Sequence, residues 1–448
     1  MKKNRELSLI LILLWMGIAF AQLTNPVRFP DSGDYEIVLS PHNIFAYFRG
    51  NSYRGWPTPL LYTLTRSDRL FVIAQSQFYF ASWTALIIAI CREKSSRYIL
   101  IVGGLLTVVA LSPMSLQWNQ IILSESLSIS LTISSLAICY FMLSVAGRES
   151  NSSHRNLMIV ASAGILFSTA ATINRPSSLL LQVAVSIVLI FLVTKLGCRI
   201  LSYAFSLFSI LMVIYALSVA TNSDRYWTVN QTEPSRTSSH YLYMSATESG
   251  YNTFSNTLFK EVSGEGPTCL HGLRASFQES GKDPWSIRSK LITECPTGVR
   301  WLNKNITQKY SSFILNHPTL YFSYLGSSFP EITSQVHYTQ TRSILPAFIS
   351  SIIERSKTAN ADFQPVVLWL LSPFLVSLRR SYIDKIGVDR HFTIVTSILV
   401  AGAFVSILFT QTLINSDLLR PAIPCTVALF VLLITNVGEI FDSSEIKV

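Results

Sequence analysis

The stretch NQIILSESLSISLTISSLAICYFML, residues 119–143, contains one charged side chain, Glu125, among residues that are otherwise small, polar or apolar. About 20 mainly apolar residues are needed for a helix to cross a hydrocarbon core of roughly 30 Å, so this stretch predicts a transmembrane helix. Its acid lies near the amino end and not in the middle. The position of this carboxylate near the start of a predicted membrane span requires an explanation.

The whole chain has the composition of a membrane protein. Hydrophobic residues make up 49% of its 448 residues and charged residues 13%, with a mean hydropathy of +0.39, whereas soluble domains contain about 25% charged residues. We predict an all-α polytopic membrane protein with about ten transmembrane helices. The predicted spans are residues 7–23, 70–91, 98–113, 119–143, 157–173, 178–194, 200–220, 363–378, 391–413 and 421–437.

The charges of the short loops predict the orientation of these spans, because cytoplasmic loops collect Lys and Arg. With the basic start KKNRE in the cytoplasm, the basic loops all fall on the same side: residues 92–97, 147–155, 195–199 and 379–390. An even number of spans then places the carboxyl terminus in the cytoplasm too. Since topology accounts for the net charge of +10, we predict no nucleic-acid partner.

Two interpretations of the first apolar segment stay open. It is either the first span or a cleavable signal peptide, because a basic start, an apolar run and AFA before Gln22 fit both. Either interpretation places residues 24–69 on the outer side of the membrane.

The chain has two long outer segments, and the longer one separates two membrane modules, which gives three predicted parts. In the first outer loop, Ser40 or Asn43 is predicted to cap a short helix. Residues 313–330 are predicted to form a juxtamembrane helix, and residues 345–357 either another such helix or a short re-entrant segment. The parts are an N-terminal membrane module of about seven spans (1–220, with the first outer loop 24–69), an extracytoplasmic loop domain (221–362) and a C-terminal membrane module of about three spans (363–448).

The six cysteines fall into two groups. Cys269 and Cys295 both lie in the large outer loop, where an oxidising compartment would favour a disulfide. That bridge would close a loop of about 25 residues and stabilise the fold by roughly 3 kcal/mol. The others are interpreted as small apolar residues at spans or span ends: Cys91, Cys139, Cys198 and Cys425.

Five ionisable residues from distant parts of the sequence are predicted to meet at the outer face of the membrane. The helix from Glu125 to the next basic cytoplasmic loop is about 35 Å long, so Glu125 sits at the outer end of its span. Arg175 lies in a tight outer turn, and Arg420 begins the last span. Asp31 and Asp34 follow the first span on the same side.

Each of these residues also has an ordinary structural interpretation. Asp31 and Asp34 suit a solvated turn, and Glu125 suits the first turn of a helix, where the dipole favours an acid. Arg175 and Arg420 each precede a proline and suit snorkelling cations at the interface. Taken together they favour a functional site, since ionisable residues at membrane depth are usually functional.

Acids and arginines together suit chemistry on a lipid phosphate. Arginine presents a planar fork of donors that matches phosphate oxygens, and a carboxylate takes a proton from a hydroxyl as that hydroxyl attacks. The sequence has neither GxxxxGK[ST] nor GxGxxG, so it lacks the motifs that bind nucleotides.

Short segments around these residues carry a resemblance to a known family. They are PDSGDY (30–35), YRGWPTPLLYTL (53–64), LSESLSISL (123–131), NRPSSLLL (174–181) and LLRPAIP (418–424). Together they resemble the GT-C glycosyltransferases, multi-pass enzymes that use polyprenyl-phosphate sugars, such as protein O-mannosyltransferases and lipid A aminoarabinose transferases. The resemblance covers the membrane part of the chain and leaves residues 221–362 without a counterpart.

The resemblance implies an inverting sugar transfer to a hydroxyl acceptor. Asp31 aligns with the family's catalytic aspartate and would be the general base, while Glu125 would orient the acceptor or a cation. The residues implied to bind the donor and its phosphate are Tyr35, Arg54, Arg175 and Arg420.

In one place the chain departs from the family pattern. Many relatives have Asp-Glu where this chain has Asp31-Ser32, so the second catalytic acid is either Asp34 or absent. A metal role stays open as well: either Asp34 and Glu125 share a divalent cation with phosphate oxygens, or neither residue touches one. No other cofactor is predicted.

The implied partners are a polyprenyl-phosphate sugar donor, a glycan, lipid or protein acceptor, and membrane lipids. The predicted location is a bacterial plasma membrane. Two other classes remain as alternatives. An O-antigen-type polymerase or ligase would be expected to use Arg and His of the large loop, and a transporter would place its charges near mid-membrane.

Overall fold

The protein is mainly helical in the part of the chain that the computed structural model describes, and no β-strand occurs there. The described residues are 2–21, 32–52, 55–146, 154–195, 199–228, 252–279, 284–324, 390–413 and 423–441, except positions 37, 41, 93 and 322, together with the single positions 26, 28, 234, 238 and 241. The prediction of an all-α protein is confirmed over these residues.

The longer helices follow the apolar segments of the sequence. In chain order they are α1 Lys2–Ala21, α2 Ile44–Phe48, α3 Pro57–Thr65, α4 Asp68–Cys91, α5 Ser96–Leu111 with a π-helical stretch at Ile99–Gly103, α6 Glu125–Ala146, α7 His154–Asn174, α8 Leu179–Lys195, α9 Arg199–Thr228, α10 Asn252–Ser263, α11 Thr268–Glu279, α12 Pro284–Glu294, α13 Pro296–Asn316, α14 Arg390–Leu413 and α15 Ile423–Phe441.

Among the described residues, five helical segments are long and apolar enough to cross a membrane: Asp68–Cys91, Glu125–Ala146, Arg155–Asn174, Pro176–Lys195 and Ser202–Ser223. Three apolar helices are shorter, namely Ser96–Leu111, Phe392–Ile407 and Ile423–Glu439. The predicted span 363–378 lies outside the described residues.

Helix α6 is the centre of the bundle. It packs against α4, α7, α8 and α15, and every residue from Glu125 to Ala137 is buried. Its many serines fit this position, because small side chains let membrane helices approach closely and their hydroxyls bond across the interface. One such bond joins Ser82 of α4 to Ser134 at 2.9 Å.

The α-helix begins at Glu125, six residues later than the start predicted from hydropathy. The amide of Gln75 on α4 donates to the carbonyls of Trp118, Asn119 and Ile121 at 2.9–3.1 Å. The carbonyls of Trp118 and Ile121 also accept turn hydrogen bonds from the N–H groups of Ile121 and Leu123. Because Gln75 and these tight turns satisfy the carbonyls, the approach to α6 is not α-helical.

The segment between α1 and α4 docks on the ends of α7 and α9. Gly55 lies against the backbone of α7, since a Cβ there would be 2.1 Å from the carbonyl oxygen of Ile173. Side chains of α9 donate to backbone carbonyls of this segment at 2.8–2.9 Å: Tyr215 to Phe48, Asn222 to Arg49 and Ser223 to Ser52.

Helices α10–α13 surround a separate hydrophobic core. Cys269 and Cys295 are joined in a disulfide. Phe313, Tyr321 and Tyr324 are buried in this core, and the ring of Tyr324 stacks on Phe254 at 4.2 Å. The prediction that residues 313–330 form a surface helix is therefore wrong for these aromatic side chains, which bury their apolar area against one another instead of lipid.

Candidate functional site

The candidate site lies at the end of the bundle where α6 begins and α7 ends, which we call the Glu125 end. The two helices are packed neighbours, so Glu125 at the start of α6 lies beside Arg175, the first residue after α7. The Nη2 group of Arg175 donates to Oε1 of Glu125 in an ion pair. The side chain of Glu125 is 0% exposed and that of Arg175 is 11% exposed, so water screens the pair weakly.

The Arg-Pro sequence places Arg175 where α7 stops. Arg175 has the extended backbone conformation that a residue before proline prefers. Its backbone N–H still donates to Ala171 at 2.8 Å, which closes the last turn of α7. Pro176 then begins a 3-10 turn, Pro176–Ser178, that leads into α8. The proline therefore ends one helix and begins the next, with the guanidinium between them.

Asn174 connects this turn to two other segments through a buried network. Its amide nitrogen donates to the carbonyl of Ser124 and the hydroxyl of Ser128, both at 2.9 Å. Its amide oxygen accepts a 2.8 Å bond from the hydroxyl of Thr58 on α3. Ser124 and Asn174, which precede the two residues of the ion pair, are thus joined by a hydrogen bond and buried from water.

Tyr35 brings the first loop to the same place. It follows a 3-10 turn at Ser32–Asp34, its side chain is buried, and its hydroxyl lies 3.1 Å from that of Ser124. Since Ser124 directly precedes Glu125, the loop that follows α1 reaches the start of α6. From topology, the sequence predicted only that this loop and the start of α6 lie at the same face of the membrane.

Arg175 keeps hydrogen-bonding capacity at this site. Its Nε is buried and has no hydrogen-bond partner among the described residues. Arginine carries five N–H donors, and a buried donor without a partner costs free energy. The guanidinium is therefore suited to an additional oxygen acceptor, above all an anionic one.

A second ionic group lies at the edge of this end and is more exposed. Arg28 contacts Asp68 at 2.7 Å and Glu36 at 3.4 Å, and the hydroxyl of Tyr62 donates to Asp68 at 3.1 Å. Partial burial, and next the hydrogen bond to Asp68, raise the pKa of Tyr62. This group ties the first loop to α3 and α4.

Four of the predicted site positions lie outside what the structure describes: Asp31, Arg54, Arg420 and the side chain of Asp34. Chain neighbours of these positions are described. Ser32 is buried, Gly55 lies against α7, and the sulfur of Cys425 lies 3.9 Å from the carbonyl of Ser177.

Sequence reasoning missed Thr58, Ser124, Ser128 and Asn174, although an asparagine directly before the Arg-Pro pair was a visible signal. Among the described residues, no group of three or more His, Cys, Asp or Glu side chains is arranged to hold a metal ion.

Comparison with known proteins adds nothing to this geometry, because no family model, no curated protein and no solved structure matches the chain.

Proposed function

We propose that the protein is a GT-C-like membrane glycosyltransferase. It transfers a sugar from a polyprenyl-phosphate donor to a hydroxyl acceptor, with inversion at the anomeric carbon. The Glu125 end faces the extracytoplasmic side of a bacterial plasma membrane, and about ten helices leave both termini in the cytoplasm. The observation that carries the proposal is the buried Arg175, which is oriented by Glu125 and has a donor to spare.

Arg175 is the phosphate-binding residue of this proposal. One edge of its guanidinium is engaged by Glu125, which leaves Nε for a phosphate oxygen. A charge-assisted hydrogen bond to phosphate is stronger in a site that excludes water. The same contact stabilises the phosphate as negative charge develops on it during departure.

Glu125 has two roles. Before the donor binds, its carboxylate balances the charge of Arg175, because a buried cation without a partner would be costly. It also holds the guanidinium in one orientation, and a preorganised donor does not have to rearrange during the reaction.

Asp31 is the general base. It takes the proton from the acceptor hydroxyl while that oxygen attacks the anomeric carbon, and the bond from this carbon to the phosphate oxygen breaks, so that polyprenyl phosphate leaves with the electron pair. The position of Tyr35 against Ser124 supports this role, because it brings the loop that contains Asp31 to the Glu125 end.

The remaining predicted residues complete the donor site. Arg54 and Arg420 add positive charge for the phosphate, Tyr35 lines the site, and Asp34 is either a second acid or a ligand for a divalent cation. The packing of Gly55 against α7 and of Cys425 against Ser177 supports the placement of these segments at one end.

Binding of undecaprenyl phosphate to the full-length protein in nanodiscs tests the role of Arg175. We expect Arg175→Ala to weaken this binding at least tenfold. Arg155→Ala is the matched control, because Arg155 is an exposed arginine near the other end of the same helix, and it should bind as the wild type does. Equal affinity of Arg175→Ala and the wild type would contradict the proposal.

Transfer assays with a panel of polyprenyl-phosphate sugars test the base. Asp31→Asn should abolish transfer while binding of undecaprenyl phosphate stays intact, and Asp34→Asn should cost less. Equal tolerance of both changes would remove the catalytic assignment. Repeating the assay with a chelator distinguishes a metal-dependent from a metal-independent reaction.

A further inference from the structure

A small cavity lies between α6, α7 and α8, deeper in the bundle than the ion pair. It measures about 10 Å³ as the space open to the centre of a water molecule. Its lining combines apolar side chains with hydroxyl and amide groups: Thr132, Ser135, Leu136, Ser168, Ala171, Ser178, Leu181, Gln182 and Val185.

Three lining groups come from three different helices and have no hydrogen-bond partner within the described part of the chain. They are Oγ1 of Thr132 on α6, Oγ of Ser168 on α7 and Oε1 of Gln182 on α8. Each residue is at most 4% exposed. Leaving three such groups without partners would cost several kcal/mol, and native proteins rarely do so.

The other end of the Gln182 amide is already fixed. Its Nε2 donates to the hydroxyl of Thr169 at 2.8 Å, which leaves Oε1 as an acceptor. The two hydroxyl groups can each donate or accept. The cavity therefore presents one fixed acceptor and two adaptable groups, a set that matches the two donors and two acceptors of water.

We propose that this cavity binds a single water molecule, which bridges Thr132, Ser168 and Gln182 and so connects the three helices. Its size supports one water, because a cavity of about 10–15 Å³ on this measure holds one. The absence of a carboxylate from the lining makes neutral water a better match than a cation.

The position of the site assigns a role to this water. Thr132 lies seven residues after Glu125 on α6, and Ser168 lies seven residues before Arg175 on α7. Seven residues are about two helical turns, or about 10 Å, so the cavity lies about two turns further into the bundle than the ion pair. A water here braces α8 against the two helices that present the ion pair, and it thereby positions the Arg-Pro turn.

Thermal unfolding of the full-length protein tests the water site, because the proposal predicts the direction in which the Tm changes when a partner of the water is removed. Ser168→Ala should lower the Tm by about 2 °C or more, because it removes a partner of the water. Ser135→Ala is the matched control: Ser135 lines the same cavity, but its hydroxyl already donates to the carbonyl of Leu131 at 2.8 Å. Its Tm should change less.

An unchanged or higher Tm for Ser168→Ala would contradict the proposal, because removing an unpaired hydroxyl from a dry cavity is neutral or stabilising. The proposal would also be contradicted if replacing Na⁺ with choline changed the Tm of the wild type but not the Tm of Ser168→Ala. That result would indicate a bound cation.

Hydroxyl-radical footprinting by X-ray radiolysis gives an independent readout, because a bound water is a local source of radicals. Leu181 and Val185 line the cavity, whereas Leu189 on the same helix is equally buried and does not line it. We expect at least threefold faster modification of the first two. Equal rates at all three positions would contradict a bound water.

Discussion

The bundle has an ion pair with a buried carboxylate at each end, and the two pairs are built differently. At the Glu125 end, Arg175 donates through Nη2 to one carboxylate oxygen. At the opposite end, Nζ of Lys94 lies 2.6 and 2.7 Å from the two oxygens of Glu439, and the hydroxyl of Tyr98 donates to the same carboxylate at 3.1 Å.

The difference is one of remaining hydrogen-bonding capacity. Both oxygens of Glu439 are engaged by protein groups, so this pair is a closed contact that fastens α15 to the start of α5. Arg175 still has a buried donor without a partner in the described residues. A charged residue at membrane depth is therefore insufficient evidence of a functional site. A buried N–H donor without a partner is more specific evidence.

The largest expected effect separates the two ends by activity. Arg175→Ala should lower the rate of sugar transfer at least ~100-fold, because it removes a preorganised donor from the departing phosphate. Lys94→Ala should lower it less than ~3-fold, measured per mole of folded protein, since its pair does not contact the proposed donor. Similar losses in both variants would erase the functional distinction between the pairs.

The next effect concerns stability at the Lys94 end. Lys94→Met should lower the free energy of unfolding by about 3 kcal/mol, because Glu439 would stay buried without its cation. The double change Lys94→Met with Glu439→Gln should recover all but about 1 kcal/mol of this loss. Chemical denaturation of the four proteins measures the cycle, and additive losses would show that the two residues do not act as a pair.

A smaller effect tests how the first loop supports the Glu125 end. Gly55→Ala should cost about 2 kcal/mol and weaken undecaprenyl phosphate binding, since its Cβ would clash with the backbone of Ile173. Gly33→Ala is the control, because no atom lies within 4 Å of its added Cβ, and it should change stability by less than about 0.5 kcal/mol. Equal effects would mean that the close approach at Gly55 is unimportant.

The smallest effects compare one tyrosine at each end. Tyr98→Phe should cost about 1.5 kcal/mol, because its hydroxyl donates to a charged carboxylate. Tyr35→Phe should cost about 1 kcal/mol, because its hydroxyl contacts a neutral serine. Chemical denaturation gives both values. A larger loss at Tyr35 would show that this end is the more tightly bonded of the two.

Much of the helical fold could be predicted, because span length and hydropathy depend on local composition. The meeting of Glu125 and Arg175 at one end followed from counting residues along helices. Their ion pair did not, since residue counts do not specify side-chain contacts. The late start of α6 was also missed, because the carbonyls before it accept hydrogen bonds from Gln75 on another helix.

The Lys94–Glu439 pair is a second contact that residue counts did not predict. The sequence predicted Lys94 in a basic cytoplasmic loop and Glu439 beyond the end of the last span. In the structure, α15 continues to Phe441 and Glu439 is buried. Nothing in the local pattern of either segment distinguishes a solvated charge from a paired one, because the partner is supplied by a distant helix.

The sequence by itself determined that the protein is helical and apolar enough for a membrane, and it determined which residues lie near helix ends. These properties depend on composition and on distance along one helix. Only the tertiary structure decided which charges are neutralised and which keep a free donor. The physical reason is that pairing joins residues 50 positions apart at one end and 345 apart at the other, so it depends on how the helices pack.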